Sequence, residues 1–443
     1  MRIELPEKVK KILDTLTEAG YEAYAVGGCV RDSILGRIPN DWDVTTSAKP
    51  VEVKALFPRT VDTGIQHGTV TVMLGREGFE VTTYRIDGEY EDSRHPKEVT
   101  FTASLAEDLK RRDFTINAMA YNEQSGLVDL FDGIRDIRER RIRCVGNPEE
   151  RFSEDALRMM RAVRFSAQLG YEIEEETEQA VVKLAPTLSK ISAERIQTEL
   201  LKLVLSDHPD YLRRAYETGL TSVFFPEFDR AMEQDQNHPH HKYSVGEHTL
   251  HAMQAVEPER VLRLTMLFHD LGKPDVHTVD EDGIDHFKGH AAVGEEIAHN
   301  VLRRLKFDND TIDQVKRLVF YHDYHVAETQ SGVRRAANKI GVELFPALLK
   351  VKYADVAAQS DYKRQEKLDT LQHLDAIYRE VLEEGQCMTL KDLAVTGKDL
   401  IECGMQPGKE LGEALSRLLE VVLDHPEYNT KEQLLRICFP ESR

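Results

Sequence analysis

The sequence predicts an α+β protein, with a small mixed α/β head first and an all-helical remainder after it. Two observations predict this. Up to about residue 130, short β-branched or aromatic runs alternate with Gly and Pro signals, at Tyr21 to Val26, Trp42 to Thr46, Thr69 to Leu74 and Phe79 to Tyr84. From Glu149 onward such runs nearly vanish, and stretches such as ALRMMRAVRFSAQL and GEALSRLLEVVL repeat apolar residues at three and four spacing. With 443 residues and 41% apolar content, the chain can give each of two to four domains its own core. The expected division is a head at 1–145, a helical body at 146–230, a further helical domain at 231–362 and a helical tail at 363–443.

The opening residues, MRIELPEKVKKILDTLTEAGYEAY, set Val9, Ile12, Leu13 and Leu16 at helical spacing among charges. They lack the uninterrupted apolar run of a signal peptide or membrane span, so the expectation is a cytoplasmic protein without membrane attachment. Five cysteines (Cys29, Cys144, Cys387, Cys403, Cys438) lie far apart and form no close pair of the kind that builds zinc sites or disulfide frameworks. Buried free thiols are expected. The formal charge of −20 runs against a nucleic-acid partner, because neutralising phosphate needs Lys and Arg. Arginine is nevertheless dense between Arg111 and Arg164, while the acidic excess lies largely in the helical remainder, so a basic cleft on an acidic body is expected.

In YAVGGCVRDSILGRIPNDWDVTTSA the pattern is strand, Gly-Gly turn, short helix, loop, second strand. Adjacent glycines after a strand let a polyphosphate approach the backbone, and a helix start offers it unpaired N–H groups. Gly27 and Gly28 are the candidates for this cradle, with Arg31 one turn along. Residues two apart on a strand share a face, so Asp41 and Asp43 converge while Trp42 and Val44 point the other way. Carboxylates so placed can share hard divalent cations, magnesium in particular, and two such ions could activate a hydroxyl and neutralise departing pyrophosphate. FEVTTYR sets Glu80 on a third strand, either as another carboxylate near the metals or as an edge-strand surface charge. DLKRRDFTINAMA then presents Arg111, Arg112 and Asp113 before a helix-like stretch, and the planar fork of arginine suits phosphate and sugar.

The motifs GGCVRD…DWD, HGTV, RRDFTINAMA and EDALRMMRAVRF, in this order, resemble those of bacterial-type (class II) tRNA nucleotidyltransferases of the DNA polymerase beta superfamily, which also includes bacterial poly(A) polymerases. The likeness is dense over residues 20–170 and looser beyond. It implies a DNA polymerase beta-like head that adds CCA, without a template, to the 3′ end of tRNA from CTP and ATP. It also implies Asp41 and Asp43 as Mg2+ ligands, Gly28, Arg31 and Arg112 at the incoming nucleotide, and no DNA partner.

SEDALRMMRAVRF carries Asp155 and Arg158, three apart and therefore neighbours on one helix face, with Arg161 and Arg164 continuing the row. Cytosine and adenine each present an amino donor beside a ring-nitrogen acceptor, whereas uracil and guanine reverse that order. A carboxylate beside a guanidinium would therefore take C and A, and would leave charged groups unpaired against U or G at a cost of about 1–3 kcal/mol each. The resemblance assigns this reading to Asp155 and Arg158, with Arg161 and Arg164 also at the nucleotide. A surface salt bridge is the alternative. The polar segment RIDGEYEDSRHPKEVTF, which reads as a mobile loop, is absent from relatives that add only CC; its presence implies full CCA addition or addition of A alone.

Of seventeen histidines in the chain, twelve fall between His238 and His325. His248, His269 with Asp270, His290, His322 and Asp355 are good divalent-metal ligands, and together they resemble the HD superfamily of metal-dependent phosphohydrolases. That resemblance implies one site for a divalent transition metal at His248, His269, Asp270 and Asp355, with His290 and His322 holding a second ion. It also raises phosphodiesterase or phosphatase chemistry on RNA 3′ ends. In the last helices GMQPGKELG offers a turn and a helix start, as in elements that hold a nucleic-acid backbone, or simply a loop between packed helices. Three alternatives to CCA addition stand: A-only addition, poly(A) polymerase, and an HD phosphohydrolase with a vestigial head. The close at LRICFPESR, without a basic run, favours tRNA over nonspecific RNA.

Overall fold

The computed structural model describes residues 2–88 and 99–439. It divides into two compact units, Met1–Phe224 and Phe225–Arg443.

In the first unit, helix α1 (Glu7–Glu18) leads into β1 (Ala23–Val26), α2 (Gly28–Ile34), β2 (Asp43–Thr46), α3 (Pro50–Leu56), β3 (Thr60–Gly64), β4 (Thr69–Leu74) and β5 (Glu77–Thr83). A short pair, β6 (Arg85–Asp87) and β7 (Val99–Phe101), precedes α4 (Leu105–Lys110), β8 (Met119–Asn122), β9 (Gly126–Asp129) and α5 (Gly133–Glu139). Seven strands form one sheet in the order β3-β4-β5-β2-β1-β8-β9, and only β2 with β5 runs parallel among its pairings. Period-two alternation sorts the side chains onto two faces. Ala23, Val44, Val70, Val72 and Val81 meet Val9, Ile12, Leu13 and Leu16 of α1 and Val53 of α3. Tyr24, Val26 and Ala120 face the other way, against Leu109 of α4. Asp43 pairs with Val26 across β1 and β2, which puts its side chain on the α4 face.

The four expected strands are present within two residues of their ends, but β3, β8 and β9 were not expected. The helix-like reading of FTINAMA is corrected: Thr115–Asn117 is a single 3-10 turn, and Met119–Asn122 is β8, paired with β1. The polar segment 85–101 begins and ends in paired strands rather than loop; its centre, 89–98, lies outside the described residues. The unit closes with helices α6 (Pro148–Glu154), α7 (Leu157–Leu169), α8 (Glu175–Leu184), α9 (Ala193–Val204), α10 (Leu212–Glu217) and α11 (Thr221–Phe224).

The second unit is helical: α12 (Pro226–Glu233), α13 (Val245–Ala255), α14 (Arg260–Phe268), α15 (His290–Arg304), α16 (Asn309–Tyr321), α17 (Gln330–Ile340), α18 (Phe345–Ala358) and α19 (Arg364–Glu383), then α20 (Gly397–Glu402), α21 (Lys409–Asp424) and α22 (Lys431–Cys438). Leu371, Leu374, Ile377 and Val381 of α19 join Leu318, Val333, Phe345 and Leu348 in one core, so packing is continuous across the boundary expected at 362. A separate core begins near Cys387 and gathers Leu400, Leu418, Val422 and Leu434. A boundary at 230 would cut α12, which belongs wholly to the second unit. Among the described residues no helix is long and apolar enough to cross a membrane. Cys29, Cys144 and Cys387 are buried as expected, whereas Cys403, which ends the short α20, is exposed.

Candidate functional site

Gly27 stands between β1 and α2 at φ 83°, a region that side chains other than glycine rarely adopt, and a Cβ there would lie 3.0 Å from Arg112 Nη1. A Cβ on Gly28 would lie 3.7 Å from Arg31 Nη2. Gly27 thus makes room for Arg112, Gly28 leaves Arg31 at ordinary contact distance, and the start of α2 has no side-chain cap. Arg31 is buried, bonded to Asn117 Oδ1 at 2.6 Å and Asp32 Oδ1 at 2.9 Å, and lies 5.1 Å from the centre of the Phe165 ring.

Asp41, Asp43 and Glu80 line one cleft of about 980 Å³ together with Trp42, Thr71 and Phe79. The expected placement of both aspartates on a strand needs correction: β2 begins at Asp43, and Asp41 lies in the loop before it. Glu80 is on β5 as expected. Burial raises the Asp43 carboxyl above its ordinary range; Arg112 opposes this, while the charges of Glu80 and Asp41 add to it. Oxygen-only donors that crowd one another's charge fit a hard divalent cation, which would relieve the crowding.

A second cleft of about 250 Å³ is walled by Arg111, Arg112, Asp113, Asp155, Leu157, Arg158, Arg161 and Arg195. The expected row on one helix face is corrected here. The helix breaks at Asp155, which is extended at φ −142°, and α7 starts only at Leu157. Asp155 Oδ1 accepts from the Leu157 N–H at 3.1 Å. Its charge partner is not Arg158 but Arg195 of α9, whose Nη1 and Nη2 donate to Oδ1 and Oδ2 at 3.2 and 2.7 Å. Arg158 donates instead to Glu154 Oε2 at 2.6 Å and to the carbonyls of Arg151 and Arg111. Asp155 and Arg158 nevertheless open onto the same cleft.

Arg161 Nε donates to Asp113 Oδ2 at 2.7 Å. Burial pushes the Asp113 carboxyl upward, but the charges of Arg161 and Arg158, with hydrogen bonds from Arg161 and the Phe114 N–H, hold it well below the usual range. Arg164 is not brought into this cleft: it is buried, donates to Glu199 Oε2 at 2.7 Å and stacks 3.6 Å from the Phe165 ring centre. Arg195 was missed because its partner lies 40 positions away, and ERIQTEL alone looks like any amphipathic helix.

Against this geometry, three family models match the chain: the poly A polymerase head domain at 23–143, the probable RNA and SrmB-binding site of polymerase A at 170–232, and the putative tRNA nucleotidyltransferase domain 2 at 286–438. The chain is 39% identical over 440 residues to the CCA-adding enzyme of Levilactobacillus brevis, covering 98% of this chain and 99% of that one. It belongs to the CCA-adding enzyme family. The CCA-adding enzyme of Lactobacillus helveticus is 37% identical over 427 residues, covering 96% and 95% of the two chains. Among solved structures, the Bacillus stearothermophilus CCA-adding enzyme in complex with CTP matches at TM-score 0.74 and 32% identity, covering 98% and 97%. The Thermotoga maritima CCA-adding enzyme complexed with tRNA matches at TM-score 0.60 and 20% identity over 99% of both, a likeness of fold.

In the second unit of this family member, the six predicted ligands come together from five places in the fold. His248 is on α13, His269 and Asp270 directly follow α14, His290 opens α15, His322 ends α16 and Asp355 is on α18. Asp270 faces a histidine pair with each oxygen. Oδ2 lies 3.6 Å from His248 Nε2 and 3.4 Å from His269 Nε2, while Oδ1 lies 3.5 Å from His290 Nε2 and 3.6 Å from His322 Nε2. Asp355 Oδ1 is 2.9 Å from His248 Nε2.

The Nδ1–H groups of His269, His290 and His322 donate to the carbonyls of Met266, Phe287 and Val319 at 2.7, 2.9 and 2.6 Å. Those bonds turn the Nε2 atoms inward, and the Nε2 atoms of His290 and His322 face each other at 3.1 Å. Neutral rings so held would oppose lone pair to lone pair, which calls for a cation between them. Two neighbours were not expected. Lys273 Nζ donates to Asp270 Oδ2 at 2.7 Å and to Gln236 Oε1 at 2.8 Å. The ring centre of His241 lies 5.4 Å from that of His248. Lys273 carried a weak signal, three residues after Asp270 in HDLGK; His241 carried none beyond its place in the histidine-rich run.

Proposed function

We propose that this family member adds CCA to the 3′ end of tRNA, using CTP and ATP and releasing pyrophosphate. The observation that carries the reading is one cleft bearing Asp155 and Arg158, walled by Arg111 and Arg112, in the unit that also holds the Asp41, Asp43 and Glu80 cleft. Full-length relatives that are CCA-adding enzymes favour it over poly(A) synthesis, since the polymerase A models match only residues 23–143 and 170–232. As an enzyme of tRNA ends it belongs in the cytoplasm. Head chemistry occupies residues 1–145, base selection the helices from 146 to Phe224, the histidine site the helices after it, and the tail from about residue 387 grips tRNA away from the reacting end.

Asp41 and Asp43 hold the divalent cations, Mg2+ in this reading, with Glu80 beside them. Bound there, such ions activate the terminal hydroxyl and neutralise pyrophosphate. Gly27 and Gly28 admit the triphosphate to the start of α2, and Arg112 meets the sugar and phosphates. A carboxylate has about four lone-pair sites. Asp155 can therefore keep Arg195 on both oxygens and still accept the amino N–H of cytosine or adenine, while Arg158 donates to the ring nitrogen. Arg161 is held at the cleft by Asp113, and Arg31 and Arg164 support it from below through the Phe165 ring.

The test supplies tRNA ending at the discriminator base, and tRNA ending in CC, with each nucleotide alone and together. Both should be completed to CCA. Failure to extend the first with CTP would leave A addition, and unending A addition would leave poly(A) synthesis.

A second activity is proposed on the placement of Asp270 between two histidine pairs: a divalent transition metal at His248, His269, Asp270 and Asp355, a second ion at His290 and His322, and hydrolysis of phosphate esters at RNA ends. Metal analysis, with assay of a 2′,3′-cyclic phosphate end, tests it; a folded protein that binds no metal there would end the proposal.

A further inference from the structure

Asp108 lies on α4 and is fully buried, yet it lines neither head cleft. A carboxylate withdrawn from water is costly unless cations and donors surround it. Here Oδ1 accepts from Arg111 Nε at 2.9 Å and, more distantly, from the Arg85 N–H at 3.4 Å. Oδ2 accepts from Thr45 Oγ1 at 3.0 Å and faces Arg112 Nη2 at 3.6 Å. Burial pushes this carboxyl upward, and the charges of Arg111 and then Arg112 outweigh it, so Asp108 stays ionised.

Thr45 follows Asp43 by two positions on β2, so their side chains share a face. Asp108 therefore sits behind Asp43 on the same side of the sheet, where Arg112 can reach both charges. The other guanidinium nitrogen of Arg112, Nη1, lies 3.0 Å from where a Cβ on Gly27 would stand, and its buried Nε has no hydrogen-bond partner among the described residues. An arginine between two carboxylates has a choice. Paired with Asp43, it would cancel the charge that a divalent cation needs. Held by Asp108, it stays in the wall of the nucleotide cleft beside Arg111.

We propose that Asp108 is a positioning residue of the head site: it keeps Arg111 and Arg112 at the nucleotide wall and keeps Arg112 from competing with the divalent cation at Asp43. This rests on the metal reading of Asp41 and Asp43. The effect belongs to the charge rather than the shape, because Asp108→Asn retains the volume and an oxygen for Thr45.

Trp42 is the single tryptophan of the chain, stands between the two aspartates and lines their cleft, so Mn2+, a paramagnetic quencher, can be titrated against its emission without nucleotide. CTP binding is measured separately by equilibrium dialysis in EDTA. Asp108→Asn should need about tenfold more Mn2+ for half quenching and bind CTP about tenfold more weakly. Its preference for CTP over UTP should stay as in wild type, because Asp155 and Arg158 are untouched. A purely structural role would lower the melting temperature and leave both midpoints within about twofold of wild type, where the variant is folded; that result overturns the proposal. Should Asp108→Asn fail to fold, Thr45→Val removes one bond that aims Asp108 and keeps the charge. It should move both midpoints about two- to threefold the same way, and no movement would overturn the proposal equally. Wild-type Trp42 emission indifferent to Mn2+ would instead remove the metal reading, and the proposal with it.

Discussion

The Asp41, Asp43 and Glu80 cleft and the histidine cluster both gather metal-ligating side chains, but they are built in opposite ways. In the head the donors are all oxygen, come from two neighbouring strands and the segment leading into one of them, and line an open cleft of about 980 Å³. In the second unit the donors mix nitrogen and oxygen, come from five helices or their ends and are mostly buried, with three imidazoles pinned by backbone carbonyls. An open set of hard donors leaves coordination positions for phosphates and a hydroxyl, so the substrate completes the site. A closed, pre-oriented set holds its ion whether or not substrate is present. The first suits a metal that arrives with the nucleotide, the second a resident metal.

The largest break in that comparison should come from Asp43→Ala. Metal-borne charge stabilisation worth several kcal/mol disappears, so CTP addition to tRNA should fall by about 10³-fold or more in single-turnover assays. The metal content of the second unit should not change. Loss of both together would mean that the two sites are not separate.

Next in size is base choice. Asp155→Ala and Arg158→Ala, assayed separately with all four nucleotides, should each cut discrimination against UTP and GTP by about 10- to 100-fold. Unaltered selection would sink the role of this pair. Arg195→Gln should act in the same direction but more weakly, by about tenfold or less, because Asp155 keeps its Leu157 contact while losing its clamp. A pure loss of stability, with selection intact, would show Arg195 to be scaffolding only.

Asp270→Asn sharpens the comparison from the other side. It removes the carboxylate charge shared by both histidine pairs, so bound transition metal should be lost on dialysis while CCA addition stays within about twofold. A matching loss of transfer would argue against separate sites.

How much of this was legible in the sequence follows the same divide. In the head, candidate ligands two residues apart and a glycine pair before them are local signals, and strands with buried valines show clear alternation. What failed there failed for physical reasons. β3, TVDTG, is a polar sheet edge with no hydrophobic pattern to find. NAMAYN has the composition of a helix, and its pairing with β1 overrides it. Spacing placed Asp155 beside Arg158, but the helix break and the distant Arg195 are tertiary facts that no i, i+3 rule contains. In the second unit the candidate ligands were legible only as a set of residue types in order; that Asp270 faces one pair with each oxygen appears only when the helices are packed.

The smallest predicted effect is on stability against pH in metal-free protein, and it separates the units by sign. Burial lowers His269 to about 4, and burial with the Lys273 charge lowers His241 to about 3. An unfolded histidine titrates near about 6.5, so between these values the unfolded chain binds more protons than the folded one, and stability falls as pH falls. His322 runs the other way: against burial, its bond to Asp270 and that carboxylate's charge raise its pKa, so its contribution is present at low pH and lost as pH rises through the folded value. Burial also lowers His290, His238 and His240, so depressed rings outnumber the one raised ring. In the head, the buried depressed carboxyls are Asp108 and Asp113, whose contributions are full at neutral pH and fade only below about 3.9. The second unit should therefore lose thermal stability first on acidification from pH 6.5 to 4, read by hydrogen exchange resolved along the chain. Added Zn2+ should restore it most at the upper end of that window, where protons compete least for Nε2. A head that loosens first, or a second unit indifferent to pH across the window, would show that its histidines are exposed or charged in the folded state.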